Sequence, residues 1–104
     1  MESRPRTLQN YRTADGKDPF HSWIKGLRDG KTRGIIRVRL NRVEQGNFGD
    51  CNPVGEGVCE LVIDFGPGYR VYFGEDGDEV ILLGGGDKSS QTTDIKKAKE
   101  QWSA

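Results

Sequence analysis

Hydrophobic positions along this chain change period part-way, dividing it into a helical first half and a sheet-forming second half. Phe20, Trp23, Ile24 and Leu27 recur at i, i+3, i+4 and i+7, one apolar stripe of a helix. Asp18-Pro19 supplies its N-cap and first-turn proline, and Asp29-Gly30 marks its end. A second helix is predicted over residues 32–45 with a stop at Gly46. Ile36, Leu40 and Val43 form its buried stripe, Ile35 and Val38 widen that stripe, and Arg33, Arg37, Arg39 and Arg42 fill the rest of the surface. Two helices joined by a short Gly-containing connection read as an antiparallel pair packed on a following sheet.

Before the first helix, residues 7–13 read as an edge strand that ends at the turn signal Asp15-Gly16. After the second, Gly46 to Asp50 breaks the chain, and Asn52-Pro53 with Gly55 and Gly57 keeps it in a loop or short edge strand. The pattern then alternates. Cys59, Leu61, Ile63 and Phe65 fall on one face, with Glu60, Val62 and Asp64 on the other. Gly66-Pro67-Gly68 closes a hairpin whose second strand, from Tyr69 to Gly74, sets Tyr69, Val71 and Phe73 opposite Arg70 and Tyr72. Asp76-Gly77 signals another turn, and Glu79 to Leu83, apolar on both faces, reads as a central strand. Gly84-Gly85-Gly86 lacks the spacing of a phosphate-binding loop and is expected to be a sheet-end turn that presents residues 87–91. A short helix over residues 92–102, with Ile95, Ala98 and Trp102 on one side, closes the chain.

At 104 residues there is length for one domain over residues 1–104, with residues 1–6 expected to be a flexible lead-in. A hydrophobic share of 33% and a charged share of 31% suit a soluble globular protein. The longest apolar run, Val80 to Leu83, is far too short to span a bilayer, and the first residues lack the apolar segment of a signal peptide, so a cytoplasmic location is the default. Net charge is zero, but residues 1–46 carry 11 Lys/Arg against 5 Asp/Glu and residues 47–104 carry 5 against 11. Either the basic helical half faces a polyanion, or these charges are solvated helix faces that happen to cluster.

Two thiols, Cys51 and Cys59, and one histidine offer no metal-ligand spacing, so neither metal nor cofactor is expected and both cysteines are read as free. His21, off the apolar stripe, reads as a surface position without function, since one histidine cannot serve as both acid and base. The richer site is on the hairpin. Its open face would carry Glu60, Val62, Arg70 and Tyr72, with Lys88 just beyond the third strand. Arg70 offers a bidentate fork for phosphate, Lys88 a second cation, Tyr72 a ring for stacking and Glu60 a base, and Arg37 and Arg42 could hold a polyanionic substrate. The plainer alternative is a cross-strand Glu60–Arg70 ion pair covered by Tyr72.

Several stretches, taken in order, carry a family resemblance: Asp18-Pro19-Phe20 with Trp23, Asn47-Phe48-Gly49-Asp50, Gly55-Glu56-Gly57-Val58, Glu60-Leu61, Gly66 to Phe73, and Gly85-Gly86-Asp87-Lys88-Ser89 with Gln91 and Asp94-Ile95. Together they resemble the HigB-like addiction-module killer proteins of the RelE/ParE toxin superfamily, from about residue 6 onward. The resemblance implies an α+β fold, a helix pair packed on a mostly antiparallel sheet of about four to five strands with a short C-terminal helix. It also implies the toxin of a type II toxin–antitoxin module, partnered by a helix-turn-helix antitoxin. The activity implied is metal-independent cleavage of mRNA on the ribosome, the 2′-hydroxyl attacking the adjacent phosphate. Arg70 falls on the family's active-site arginine, and Lys88 lies where relatives place another cation. Val62 departs from the pattern, standing where close relatives read arginine, and no Tyr or His follows Tyr72. A toxin that binds DNA gyrase, or an inactivated one that binds its antitoxin alone, is the alternative.

Overall fold

A computed structural model describes residues 4–103. The elements follow the order β1 (Thr7–Asn10), α1 (Pro19–Gly26), α2 (Gly30–Glu44), β2 (Cys51–Gly55), β3 (Val58–Ile63), β4 (Tyr69–Asp76), β5 (Glu79–Asp87), a 3₁₀ turn (Lys88–Ser90) and α3 (Gln91–Ser103). Of the expected flexible lead-in, residues 1–3 lie outside the described residues. The Arg6 amide donates to the Glu44 carbonyl at 2.8 Å, and Arg4 pairs with Asp78.

The two helix starts follow from the same device. Asp18 accepts from the His21 amide at 2.9 Å and Asp29 from the Lys31 amide at 3.0 Å, each satisfying a first-turn donor that the helix itself leaves unpaired. Because Asp29 caps the second helix, α2 begins at Gly30 and not at Thr32. Thr32, Ile36, Leu40 and Val43 form its buried stripe, whereas Val38, expected to widen it, is 53% exposed.

The strands form one sheet in the order β1-β5-β4-β3-β2. Pairs β2–β3, β3–β4 and β4–β5 are antiparallel, but β1 runs parallel to β5, with Thr7 opposite Glu79 and Asn10 opposite Leu82. This overturns the expected architecture of a helix pair on a mostly antiparallel sheet of four to five strands. The sheet is five-stranded and mixed, and it is larger than expected because β5 runs on to Asp87 and residues 51–55 form a strand. Both helices α1 and α2 lie in sequence between β1 and the antiparallel strands. The C-terminal helix is not short either, having 13 residues.

Gly84-Gly85-Gly86 therefore belongs to a strand, not to a turn, and packing gives the reason. A β-carbon at Gly85 would lie inside the Trp23 indole, and one at Gly86 would overlap the Asp94 carboxylate. The missing side chains let α1 on one side and α3 on the other approach β5 closely.

Helices cover both faces. Against α1 and α2 pack Leu61 and Ile63 of β3, Val71 and Phe73 of β4, and Val80 and Leu82 of β5, together with Phe20, Ile36, Leu40 and Val43. On the opposite face α3 sets Ala98, Ile95 and Trp102 against Val58, Tyr72 and Leu83. Each of β3, β4 and β5 feeds both apolar sets because successive side chains point to opposite sides. Ile36, Val71 and Val80 are fully removed from water, each worth about 1.5–3 kcal/mol of transfer free energy. The hairpin face expected to be open is thus roofed by α3. No helix among the described residues is long and apolar enough to cross a membrane.

Candidate active site

The β3–β4 ladder sets Glu60 opposite Tyr72 and Val62 opposite Arg70. All four side chains leave the sheet on the α3 side, since Leu61 and Val71 between them point to α1 and α2. Glu60 is 5% exposed and Tyr72 1%.

A buried carboxylate needs donors, and Glu60 has three neighbours that supply them. The Tyr72 hydroxyl donates to its Oε2 at 3.2 Å, the Gln91 amide from the first turn of α3 donates at 2.8 Å, and the Arg70 guanidinium lies 3.5 Å away. Arg70 is itself fixed by a bond from Nη1 to the Gly68 carbonyl at 2.9 Å, within the turn Gly66–Gly68. Its Nε is buried and faces Glu60 without a hydrogen bond. Burial, reinforced by the Glu60 carboxylate, holds the Tyr72 hydroxyl well above the usual phenol range, so it acts here as a donor.

Arg70, Glu60 and Tyr72 are therefore brought together, with the side chains of Arg70 and Glu60 14% and 7% exposed. The covered Tyr72 ring presents no face for stacking, which corrects that expectation. Lys88 is exposed in the 3₁₀ turn after β5, two residues beyond Gly86, the ladder partner of Arg70. Beside it, Asp87 accepts from the Ser89 amide at 2.8 Å and from its hydroxyl, which holds the Asp87 carboxyl below the usual range, and Arg70 adds to the effect. Arg37 and Arg42 sit apart from this cluster on exposed positions of α2, on the far side of the sheet. His21 is exposed in α1.

Pattern reading along the chain does not assign Gln91 to this cluster. A polar residue at the start of a helix that follows a strand was its signal, but the amide finds Glu60 only because α3 folds back over β3. Chemically, the cluster can orient one guanidinium edge at the end of the sheet toward an anion. The Oε2 atom of Glu60 is already engaged by its donors in this arrangement. Among the described residues no three His, Cys, Asp or Glu side chains gather closely enough to hold a metal ion.

An uncharacterized protein of Haemophilus influenzae is 49% identical to this chain over 81 residues, which span 77% of the chain and 82% of that protein. The chain belongs to the same family as that protein. No protein-family model matches the chain. The family tie covers most of the length of both members, so it extends well beyond any single motif of the hairpin.

Proposed function

We propose that this protein is the toxin of a type II toxin–antitoxin module and acts in the cytoplasm as a ribosome-dependent, metal-independent endoribonuclease. The observation that carries the reading is the fixed Arg70 guanidinium at the sheet end, buttressed by Glu60 and the Gly68 carbonyl, with Lys88 exposed just past the neighbouring strand. Two cations at one strand end suit a phosphate that gains charge in the transition state. In the step proposed, the 2′-oxygen bonds to phosphorus and the bond to the 5′-oxygen breaks. The products are a 2′,3′-cyclic phosphate and a 5′-hydroxyl, so the proton lost from the 2′-oxygen is balanced by one gained at the leaving oxygen. Arg70 and Lys88 hold the phosphate, while Tyr72 and Gln91 keep Glu60 in place behind Arg70. Glu60 takes part in proton transfer when α3 shifts and Gln91 releases it.

A second reading rests on Val62 and the burial of Arg70. With an apolar residue opposite Arg70 and a carboxylate against its guanidinium, the site is less cationic than a nuclease requires. A toxin that poisons DNA gyrase by protein contact, or one that binds its antitoxin alone, fits those two features.

Induction in a growing culture, with and without the product of the adjacent reading frame, tests the module. Arrest relieved by the neighbour, together with primer-extension stops on translated mRNA that vanish in Lys88→Ala, is the expected outcome. Arrest with intact mRNA and relaxed plasmid DNA would replace the nuclease with the gyrase reading. No arrest from either the natural chain or Val62→Arg would remove toxicity altogether.

A further inference from the structure

The described cations of α2 form no close ion pairs. Among the described residues no ion pair within 4.0 Å involves Lys31, Arg33, Arg37, Arg39 or Arg42, although the chain as a whole is neutral. Burial lowers the Arg39 guanidinium's proton affinity and repulsion from Arg42 lowers it further, while attraction to Asp50, whose carbonyl accepts from Arg39 at 3.1 Å, acts in the opposite direction.

That flank borders a cleft of about 710 Å³ between α2 and the far end of β3. Lys31, Arg39 and Arg42 line its helix side. Its apolar lining comes from Ile35, Val38 and Ile63, and Val38 is the sole large hydrophobic residue exposed among the described residues. Asp50 and Asp64 line the opposite, strand side. The volume is that of a small-molecule site, and apolar walls beside three cations that outnumber the two carboxylates match a nucleotide, with its flat base and charged phosphate. Ile63 of β3 faces α2 and floors the cleft, whereas Arg70 leaves the sheet on the α3 side, so the cleft and the Arg70 cluster lie on opposite faces.

We propose that this cleft takes one unstacked nucleotide of single-stranded RNA, the phosphate against Lys31, Arg39 and Arg42 and the base over Ile35 and Val38. The two carboxylates accept hydrogen bonds and donate none, so the base edge they meet must supply donors. Guanine offers adjacent N1–H and N2–H groups to one carboxylate. Uracil offers a single N3–H flanked by two carbonyl oxygens that a carboxylate repels. The cleft therefore selects guanine over uracil. The choice of RNA as ligand rests on the proposed function, but occupancy of the cleft does not require cleavage.

Fluorescence anisotropy with a 5′-labelled octauridylate and the same oligomer carrying one central guanosine tests this on the full chain at 50 and 200 mM salt. The guanosine oligomer should bind at least severalfold more tightly. Arg42→Ala should weaken binding and reduce the log–log salt slope by about 0.7, one phosphate contact on a single strand. Val38→Glu, at an exposed position, should cost at least tenfold in affinity with unchanged thermal melting. Lys25→Ala, at an exposed position of α1 outside both sites, should bind like the natural chain, and tight binding of the guanosine oligomer with no cutting of translated mRNA would refute the nuclease and leave the cleft assignment standing. Absence of binding to either oligomer, equal affinity for the two, or wild-type affinity in both cleft variants would overturn the proposal. So would protection of the cleft from hydrogen exchange by the neighbouring gene's product and not by RNA, which would assign it to an acidic protein segment.

Discussion

Glu60→Gln isolates the charge of the buried cluster while keeping its shape. In the folded protein the Glu60 carboxylate accepts from Tyr72 and Gln91 and lies 3.5 Å from the Arg70 guanidinium, with both charged side chains at least 86% removed from solvent by their exposures of 14% and 7%. Removing one partner of a buried pair strands the other, at about 3–5 kcal/mol. Arg70 retains its bond to the Gly68 carbonyl and a little solvent, and a glutamine oxygen can still accept from Tyr72 or Gln91, so we place the loss at about 2–3 kcal/mol. For a domain of this size that corresponds to a fall in Tm of about 10–20 °C. Guanidinium unfolding of Glu60→Gln, Arg70→Gln and the double variant measures it. Each single variant should lose most of the stability that the double variant loses, because the second substitution removes the stranded charge left by the first. Losses below about 0.5 kcal/mol in both single variants, with additive behaviour in the double, would show the pair to be screened like a surface ion pair. That result would refute the argument that α3 seals this face.

Neighbouring glycines should respond differently to the same change. Gly85→Ala drives a methyl into the Trp23 indole and should cost about 1–3 kcal/mol in urea unfolding, whereas Gly84→Ala meets nothing within 4 Å and should stay within about 0.5 kcal/mol. The Cys51 thiol, pushed up to about 11 by burial and then by Cys59, should react with iodoacetamide at pH 8 about ten- to a hundredfold more slowly than an unburied cysteine, followed by mass spectrometry. Tyr72 holds its proton more tightly folded than unfolded, so its contribution is fully present below the unfolded value of about 10 and is lost as pH rises beyond it. Guanidinium midpoints taken from pH 9 to 11.5 should fall more steeply for the natural chain than for Tyr72→Phe.

Local signals in the chain located its helices and its hairpin well. Asp18-Pro19 caps α1, the Ile36–Leu40–Val43 stripe lies against the sheet, and Gly66–Gly68 turns β3 into β4 with Arg70 and Glu60 on one side. Pairings between distant segments were out of reach. Nothing within Thr7–Asn10 reveals that its partner is Glu79–Leu82 or that the two run parallel, because the deciding hydrogen bonds span some seventy residues. The glycine triplet misled for a related reason. Glycine is both a turn former and the residue that allows close approach, and Trp23 and Asp94, which decide between the two, come from different helices.

The roof over the hairpin face had a trace in the sequence, though one that a period-two reading does not weigh. Gly74 follows Tyr72 by two residues and so shares its face, where a β-carbon would stand 2.5 Å from the Trp102 indole. A strand facing solvent gains nothing from glycine there and gives up sheet stability for it. A glycine in register with a large buried side chain therefore argues for a covering element, and α3, whose apolar residues Ile95, Ala98 and Trp102 otherwise lack a partner, is the one available. The same logic changes what Tyr72 and Glu60 can do. Polar groups on an open face are free to meet a substrate, but beneath a helix they must first satisfy one another, as Tyr72, Gln91 and Arg70 do around Glu60. Any chemistry at Arg70 then works from its exposed edge, and any chemistry at Glu60 begins with a movement of α3.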